Sequence, residues 1–438
     1  MSVAIAWFTR DLRLHDNPVL AAAARADAVL PVFVVDEKIC GTDYLSPNKA
    51  AFLADSLADL DAGLHRLGAR LVVRRGDPVA EIARLAAAHD VTEVHVAEDV
   101  SGFAVRREHA ARAALGEHGC RLEVHSGTVT IVAPGALTPQ GRDHFAVFTP
   151  YLRRWEHHHV RSPLPVPRRL AMPAHVDSLP LPKAGELSGG SASAQLASGG
   201  ETAGRKRVTA WLRNGIDDYH DRHDDLAGDA TSRLSPYLHF GCVSATELAH
   251  RADRSSPGGA AFVRQLAWRD FHHQVLAART DAAHADYRHR GPRWQPDAAR
   301  VQAWSAGQTG YPIVDAGLRQ LAAEGWMHNR ARMLTASFLT KTLRQDWRHG
   351  ADHFMRLLVD GDVANNQLNW QWVAGTGTDT RPNRVLNPIR QAKRFDPDGA
   401  YVRRWIPELA DVGDRHVHTP WTAPQPPPHY PGPIVELH

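Results

Sequence analysis

Three stretches of this 438-residue chain carry side chains that an ordinary core does not need. In Asp360-Gly361-Asp362-Val363-Ala364-Asn365-Asn366-Gln367-Leu368-Asn369-Trp370-Gln371-Trp372, acids and amides crowd against two tryptophans. So polar a segment leaves buried groups to be satisfied, and a bound polar ligand satisfies them best. In Ala230-Thr231-Ser232-Arg233-Leu234-Ser235-Pro236-Tyr237, three hydroxyls gather where a helix is expected to start, with Ser235 as N-cap. Unpaired N–H groups at such an end suit a pyrophosphate, although a plain capped helix accounts for the same residues. Trp326-Met327-His328-Asn329-Arg330 heads the third stretch, Gly325–Gln345, which holds Arg330, Arg332, Lys341 and Arg344 and no acid. From Arg381 to Arg404 seven bases stand against Asp396 and Asp398. Bases clustered this way are the footprint of a phosphate binder, whereas the net charge of +3 names no partner. Only six of the 51 bases are lysine, and arginine's planar fork suits phosphate, though a compositional bias explains the ratio equally well.

Metal chemistry is not expected. Cys40, Cys120 and Cys242 are isolated, and no further ligands are spaced around His157-His158-His159. Three lone cysteines fit a reducing cytoplasm, and neither a signal peptide nor an apolar run long enough to span a membrane is read.

These residues must be held by two kinds of architecture. Up to about residue 130, strand-like runs (Val3–Phe8, Ala28–Val35, Ala69–Val73, Glu93–Ala97, Arg121–His125) alternate with helical stretches (Asn48–Leu67, Pro78–His89, Phe103–Glu117). That alternation predicts a Rossmann-like α/β domain with a five-stranded parallel sheet. Gly76-Asp77-Pro78 reads as a strand-to-helix turn with Asp77 as N-cap. No phosphate-binding glycine fingerprint is present. Residues 131–204 read as a proline-rich connector whose Gly/Ser-rich end, from Gly185 to Gly204, is expected to be mobile. Residues 205–438 read as all-helical, with one helix from Pro312 closed by Gly325 and another over Trp326–Leu343. Ten of the twelve tryptophans fall in that half, which places the aromatic chemistry there.

Trp326–Arg330, Asp360–Trp372, Thr231–Ser235, Trp268-Arg269-Asp270-Phe271 and the opening Trp7-Phe8-Thr9-Arg10-Asp11-Leu12-Arg13 together resemble the DNA photolyase/cryptochrome family over essentially the whole chain. They are most like its class I cyclobutane-dimer photolyases. The resemblance implies an α/β antenna domain and an all-α FAD domain. It also implies light-driven repair: excited reduced FAD lends an electron to a pyrimidine dimer, the ring opens and the electron returns. By motif position Tyr219, Thr231, Ser232, Leu234, Ser235, Arg269, Trp326, Asn329, Asp360, Asp362 and Asn366 would line FAD. Asn366 would face the flavin N5, where signalling members carry Asp or Cys. Trp370, Trp347 and Trp294 match the relay that re-reduces the flavin. Gln265, Trp268, Asn329, Arg330, Met333 and Trp372 would meet damaged DNA, and the protein would act as a monomer.

Two positions depart from the dimer-repair pattern. Gln265 stands where such enzymes carry a glutamate. In the antenna domain Ala104 replaces the glutamate of folate-carrying members. Arg10, Asp36 and Asp99 are more like deazaflavin-carrying ones, with an empty antenna site as the alternative. A cryptochrome-type photoreceptor is the rival reading. A (6-4) photolyase fits less well, because Asn329 and Met333 replace its histidine pair.

Overall fold

The computed structural model describes residues 2–290 and 294–437. The chain divides into two compact units that are not contiguous in sequence. One comprises residues 1–192, 197–217 and 232–280; the other comprises 193–196, 218–231 and 281–438.

In the first unit five parallel strands, β1 (Val3–Phe8), β2 (Ala28–Asp36), β3 (Val72–Gly76), β4 (Val91–Ala97) and β5 (Arg121–His125), pair in the order β3-β2-β1-β4-β5. β1 is buried along its whole length, as a central parallel strand covered on both faces must be. Crossover helices fall where the periodicity places them: Pro47–Arg66, Pro78–Ala88 and Gly102–Gly116. Asp77 caps the second as expected, its carboxylate accepting from Val79 N at 3.0 Å and Ala80 N at 3.2 Å. The third strand sits further along than its apolar run. Ala69 and Leu71 are buried, but pairing with β2 runs from Val72 to Gly76 and takes in Arg74 and Arg75.

Helical segments beyond residue 205 join this unit through buried polar bonds. Arg13 donates to the carbonyls of Gly241 and Thr128, each at 3.0 Å. Asp270 accepts from Val132 N and from Trp155 Nε1, each at 2.9 Å. Burial raises the Asp270 carboxyl above its usual pKa, and these donors work against that. The last residues of the Gly/Ser-rich stretch that is expected to be mobile are tied down. Gly199 N donates to Asp55 at 3.1 Å and Gly200 N to Ser56 at 3.0 Å, and a helix already begins at Glu201. A Cβ on Gly199 would stand 2.2 Å from Phe52 O, so the glycines there serve close approach rather than freedom.

The second unit is helical around a core that includes Trp304, Phe338, Trp347 and Trp370. The Pro312–Glu324 helix ends, as read, at Gly325 in the left-handed region (φ 64°). The helix expected over Trp326–Leu343 starts only at Asn329 and widens to π-type turns over Phe338–Thr342. The cause is local: His328 Nδ1 accepts from Arg330 N at 3.1 Å, which makes His328 the cap and leaves Trp326 and Met327 outside the helix.

Candidate functional site

In the second unit the polar stretch forms the N-terminal part of the Val363–Ala374 helix. Asp362 caps it, accepting from Asn365 N at 2.8 Å. Asp360 lies just before it with its side chain 2% exposed, and one oxygen accepts from Arg332 at 2.8 Å. The other, Oδ1, is buried and has no hydrogen-bond partner among the described residues. Asn366 spends its amide N–H groups on Ala351 O at 3.0 Å and Gln367 Oε1 at 3.1 Å. The Asp360 oxygen is thus a buried acceptor just before this helix that awaits a donor. His328 adds a donor. With Nδ1 accepting, the neutral ring carries its proton on Nε2, which is buried and unpartnered among the described residues. Burial pushes this histidine down to about 4.

Trp370 and Trp347 are buried and Trp294 is partly exposed beside the same core. Trp347 Nε1 donates to Asp286 at 2.9 Å. A Cβ on Gly350 would stand 2.1 Å from the Trp370 ring, so that glycine admits the indole. Trp304, which sequence alone leaves as ordinary core, meets Trp370 edge-on with centroids 5.9 Å apart. Trp326 is buried, and Trp372 is partly exposed.

Asn329 is exposed at the start of the Asn329–Ser337 helix, with Arg330 and Met333 partly buried beside it. Tyr219 is partly buried, and burial pushes its phenol up to about 12. Thr231 Oγ1 lies 3.5 Å from Asp229.

The remaining residues belong to the first unit. The helix expected at Ser235 runs Ser235–His239, but Leu234, not Ser235, is its cap residue, and Ser232 Oγ accepts from Leu234 N at 3.3 Å. Arg269 donates to the carbonyls of Val129 and Leu238. Trp268 stacks on Phe148 with centroids 3.7 Å apart and planes 9° apart, which covers one face and fixes the ring plane. Gln265 is exposed one turn earlier on the same Pro257–Ala278 helix.

A second cluster sits beyond the C-terminal ends of β1, β2 and β4, where open α/β sheets bind ligands. Arg10 pairs with Asp99 at 3.0 Å. Asp36 accepts from Lys38 N at 2.9 Å, and its Oδ2 is buried without a partner among the described residues. Ala104 is buried in the first turn of the Gly102–Gly116 helix. Motif reading missed Arg107, whose guanidinium lies 5.2 Å from the Trp7 ring centroid and 5.7 Å from that of Phe103. It also missed Arg332, seen only as one base of an acid-free run. Among the described residues no His/Cys/Asp/Glu group is arranged to hold a metal, and no helix is long and apolar enough to cross a membrane.

Residues 4–168 match the family model described as DNA photolyase, and residues 262–438 match the FAD binding domain of DNA photolyase. A deoxyribodipyrimidine photo-lyase of Streptomyces griseus is 60% identical over all of this chain and 97% of its own length. A bacterial class III photolyase from Agrobacterium tumefaciens superposes with a TM-score of 0.92 at 32% identity, over 99% of this chain and 94% of the other. A Synechocystis cryptochrome also superposes with a TM-score of 0.92, at 29% identity over 99% and 96% of the two chains.

Proposed function

The chain belongs to the DNA photolyase/cryptochrome family, and on that premise we propose that it uses blue light to split cyclobutane pyrimidine dimers in DNA. It is a FAD-binding enzyme of the photolyase kind. The unpartnered Asp360 Oδ1 carries the reading, because a buried carboxylate oxygen beside Arg332 fits an N–H edge of a flavin. Asn366 fits the same group: with its N–H atoms taken, its oxygen is left to accept from a protonated ring nitrogen. Asp362, Trp326, Tyr219, Thr231 and Asn329 would hold the rest of the cofactor. The Ser232–Ser235 turn would meet the pyrophosphate, with Leu234 and Arg269 beside it.

Reduced FAD, when bound, would supply a light-excited one-electron donor. The side chains bind, orient and exclude water. Trp268, with one face already covered, and Trp372 would form apolar walls for a flipped-out dimer. Gln265, Asn329, Arg330 and Met333 would contact the lesion strand. Trp370, Trp347 and Trp294 would pass electrons inward from the surface. Arg10, Asp36 and Asp99 would hold a deazaflavin antenna in residues 1–130. Damaged DNA is the partner, met by the monomer in the cytoplasm through residues 205–438, with 131–204 as connector.

The class is not singled out by likeness, since a class III photolyase and a cryptochrome superpose equally well. That equality keeps a photoreceptor as the second reading, against which Asn366 is the residue that weighs. Purified protein should contain stoichiometric FAD, and Asp360→Ala should lose most of it while folding as before by circular dichroism. Undiminished FAD in that variant would move the flavin away from the Asp360–Asn366 segment.

A further inference from the structure

Arg330 is held in a way that a simple phosphate neutraliser does not require. Its Nε donates to Asp224 Oδ1 at 3.1 Å and its Nη2 to Asp224 Oδ2, so one carboxylate takes the fork. The guanidinium also lies over the Phe395 ring, 4.4 Å from the centroid, while Arg394 approaches the same ring at 5.0 Å. Only Nη1 is left outside the fork, 3.9 Å from Met333 Sδ. The side chain is 15% exposed and that of Asp224 24%. A base serving general attraction to DNA gains most from standing in water with all its N–H groups open. This one is fixed by fork and face, with its remaining edge turned toward Met333.

We propose that Asp224 is a positioning residue for recognition of the damaged strand: it holds Arg330 so that only the Nη1 edge, beside Met333, is offered to a lesion phosphate. The inference rests on the reading that Arg330 meets the lesion strand. Bidentate pairing makes the orientation specific, and a lysine could not reproduce it. Part of the arginine's charge is also neutralised toward intact DNA, so the carboxylate favours the lesion by suppressing indiscriminate binding. Without Asp224 the guanidinium keeps its place over Phe395 but loses the fork that fixes which edge faces Met333.

The test is fluorescence anisotropy with two duplexes, one carrying a single thymine dimer and one intact, over a series of salt concentrations. Asp224→Asn should lower the preference for the dimer duplex about tenfold, the scale of one misaligned charge-assisted hydrogen bond. It should tighten binding to intact DNA and steepen the salt dependence by about one counterion. FAD content should stay unchanged. Arg330→Lys should retain binding to intact DNA and lose the preference. In an Arg330→Ala background, Asp224→Asn should change nothing further. If Arg330→Ala alters binding but Asp224→Asn leaves preference and salt slope alone, the pair is only a structural brace and the inference fails. A further loss of preference on adding Asp224→Asn to Arg330→Ala also overturns it. If Arg330→Ala changes neither duplex, the lesion-face reading itself falls. Should Asp224→Asn fold poorly, Arg330→Lys decides: a retained preference refutes the positioning role.

Discussion

Trp370 and Gln265 are the two residues at which the account is most exposed. Trp370 is buried against Phe354 and Trp304, with Gly350 making room for its ring. Trp370→Phe should abolish photoreduction of the oxidised flavin under blue light with an external donor, followed by absorption. It should leave repair by chemically reduced protein intact. A normal photoreduction rate would move the first relay position elsewhere, with Trp304 the neighbour to test. Gln265 is exposed where a carboxyl would be usual for dimer repair. An amide there would orient a dimer through a fixed donor and acceptor but could not shift a proton as charge builds on a thymine carbonyl. Gln265→Glu should therefore raise the number of dimers repaired per absorbed photon at unchanged FAD content. A lower yield would show the amide tuned to this site and shift weight to another lesion or to signalling. At this scale residue types were legible and partners were not. Asp360 stands out in its motif, whereas nothing in the sequence shows that Arg332, 28 positions upstream, is the base it meets. The same holds for Asp224 and Arg330, 106 positions apart.

Among the elements, the Asn329–Ser337 helix depends on a titratable cap. His328 accepts from Arg330 N only while its ring is neutral, and burial pushes its pKa down to about 4 from an ordinary 6.5, partly countered by Asp229 and Asp224. The unfolded chain therefore takes up a proton first as pH falls. The stability from neutral His328 is fully present above pH 6.5 and is lost on descent toward pH 4, up to about 3 kcal/mol for a shift of this size. Thermal melts across that window should show the loss, and His328→Asn, which can cap without titrating, should flatten it. Equal slopes for the two proteins would remove His328 as the cause. Caps explain which boundaries could be read beforehand. Asp77 followed by Pro78 signals a helix start in the chain itself, and Gly325 signals an end. The histidine cap carries no such signal, so the sequence alone starts the next helix three residues early, at Trp326 rather than Asn329. β3 departs from its apolar run for another reason: periodicity reports burial, whereas strand limits follow hydrogen-bond register, which here takes in Arg74 and Arg75.

For the whole molecule, the alternation of runs before residue 130 was enough to give a five-stranded parallel sheet, because β-branched strands and capped helices are local features. The division into compact units was not, because it depends on pairings of distant groups such as Arg13 with Gly241 and Asp270 with Val132. Composition likewise suggested a loose connector where Asp55 and Ser56 hold Gly199 and Gly200. Family and cofactor follow from motif order along the entire chain. Repair, as opposed to signalling, is a claim about chemistry and is tested directly by one experiment. Purified protein, with its flavin chemically reduced, is mixed with an oligonucleotide containing a single thymine dimer and illuminated with blue light, with a dark control alongside. Restored thymines are then counted against absorbed photons. The account predicts catalytic recovery of intact thymines in the light and none in the dark. Reduced, FAD-loaded protein that binds the oligonucleotide yet leaves the dimer unchanged under illumination would contradict it.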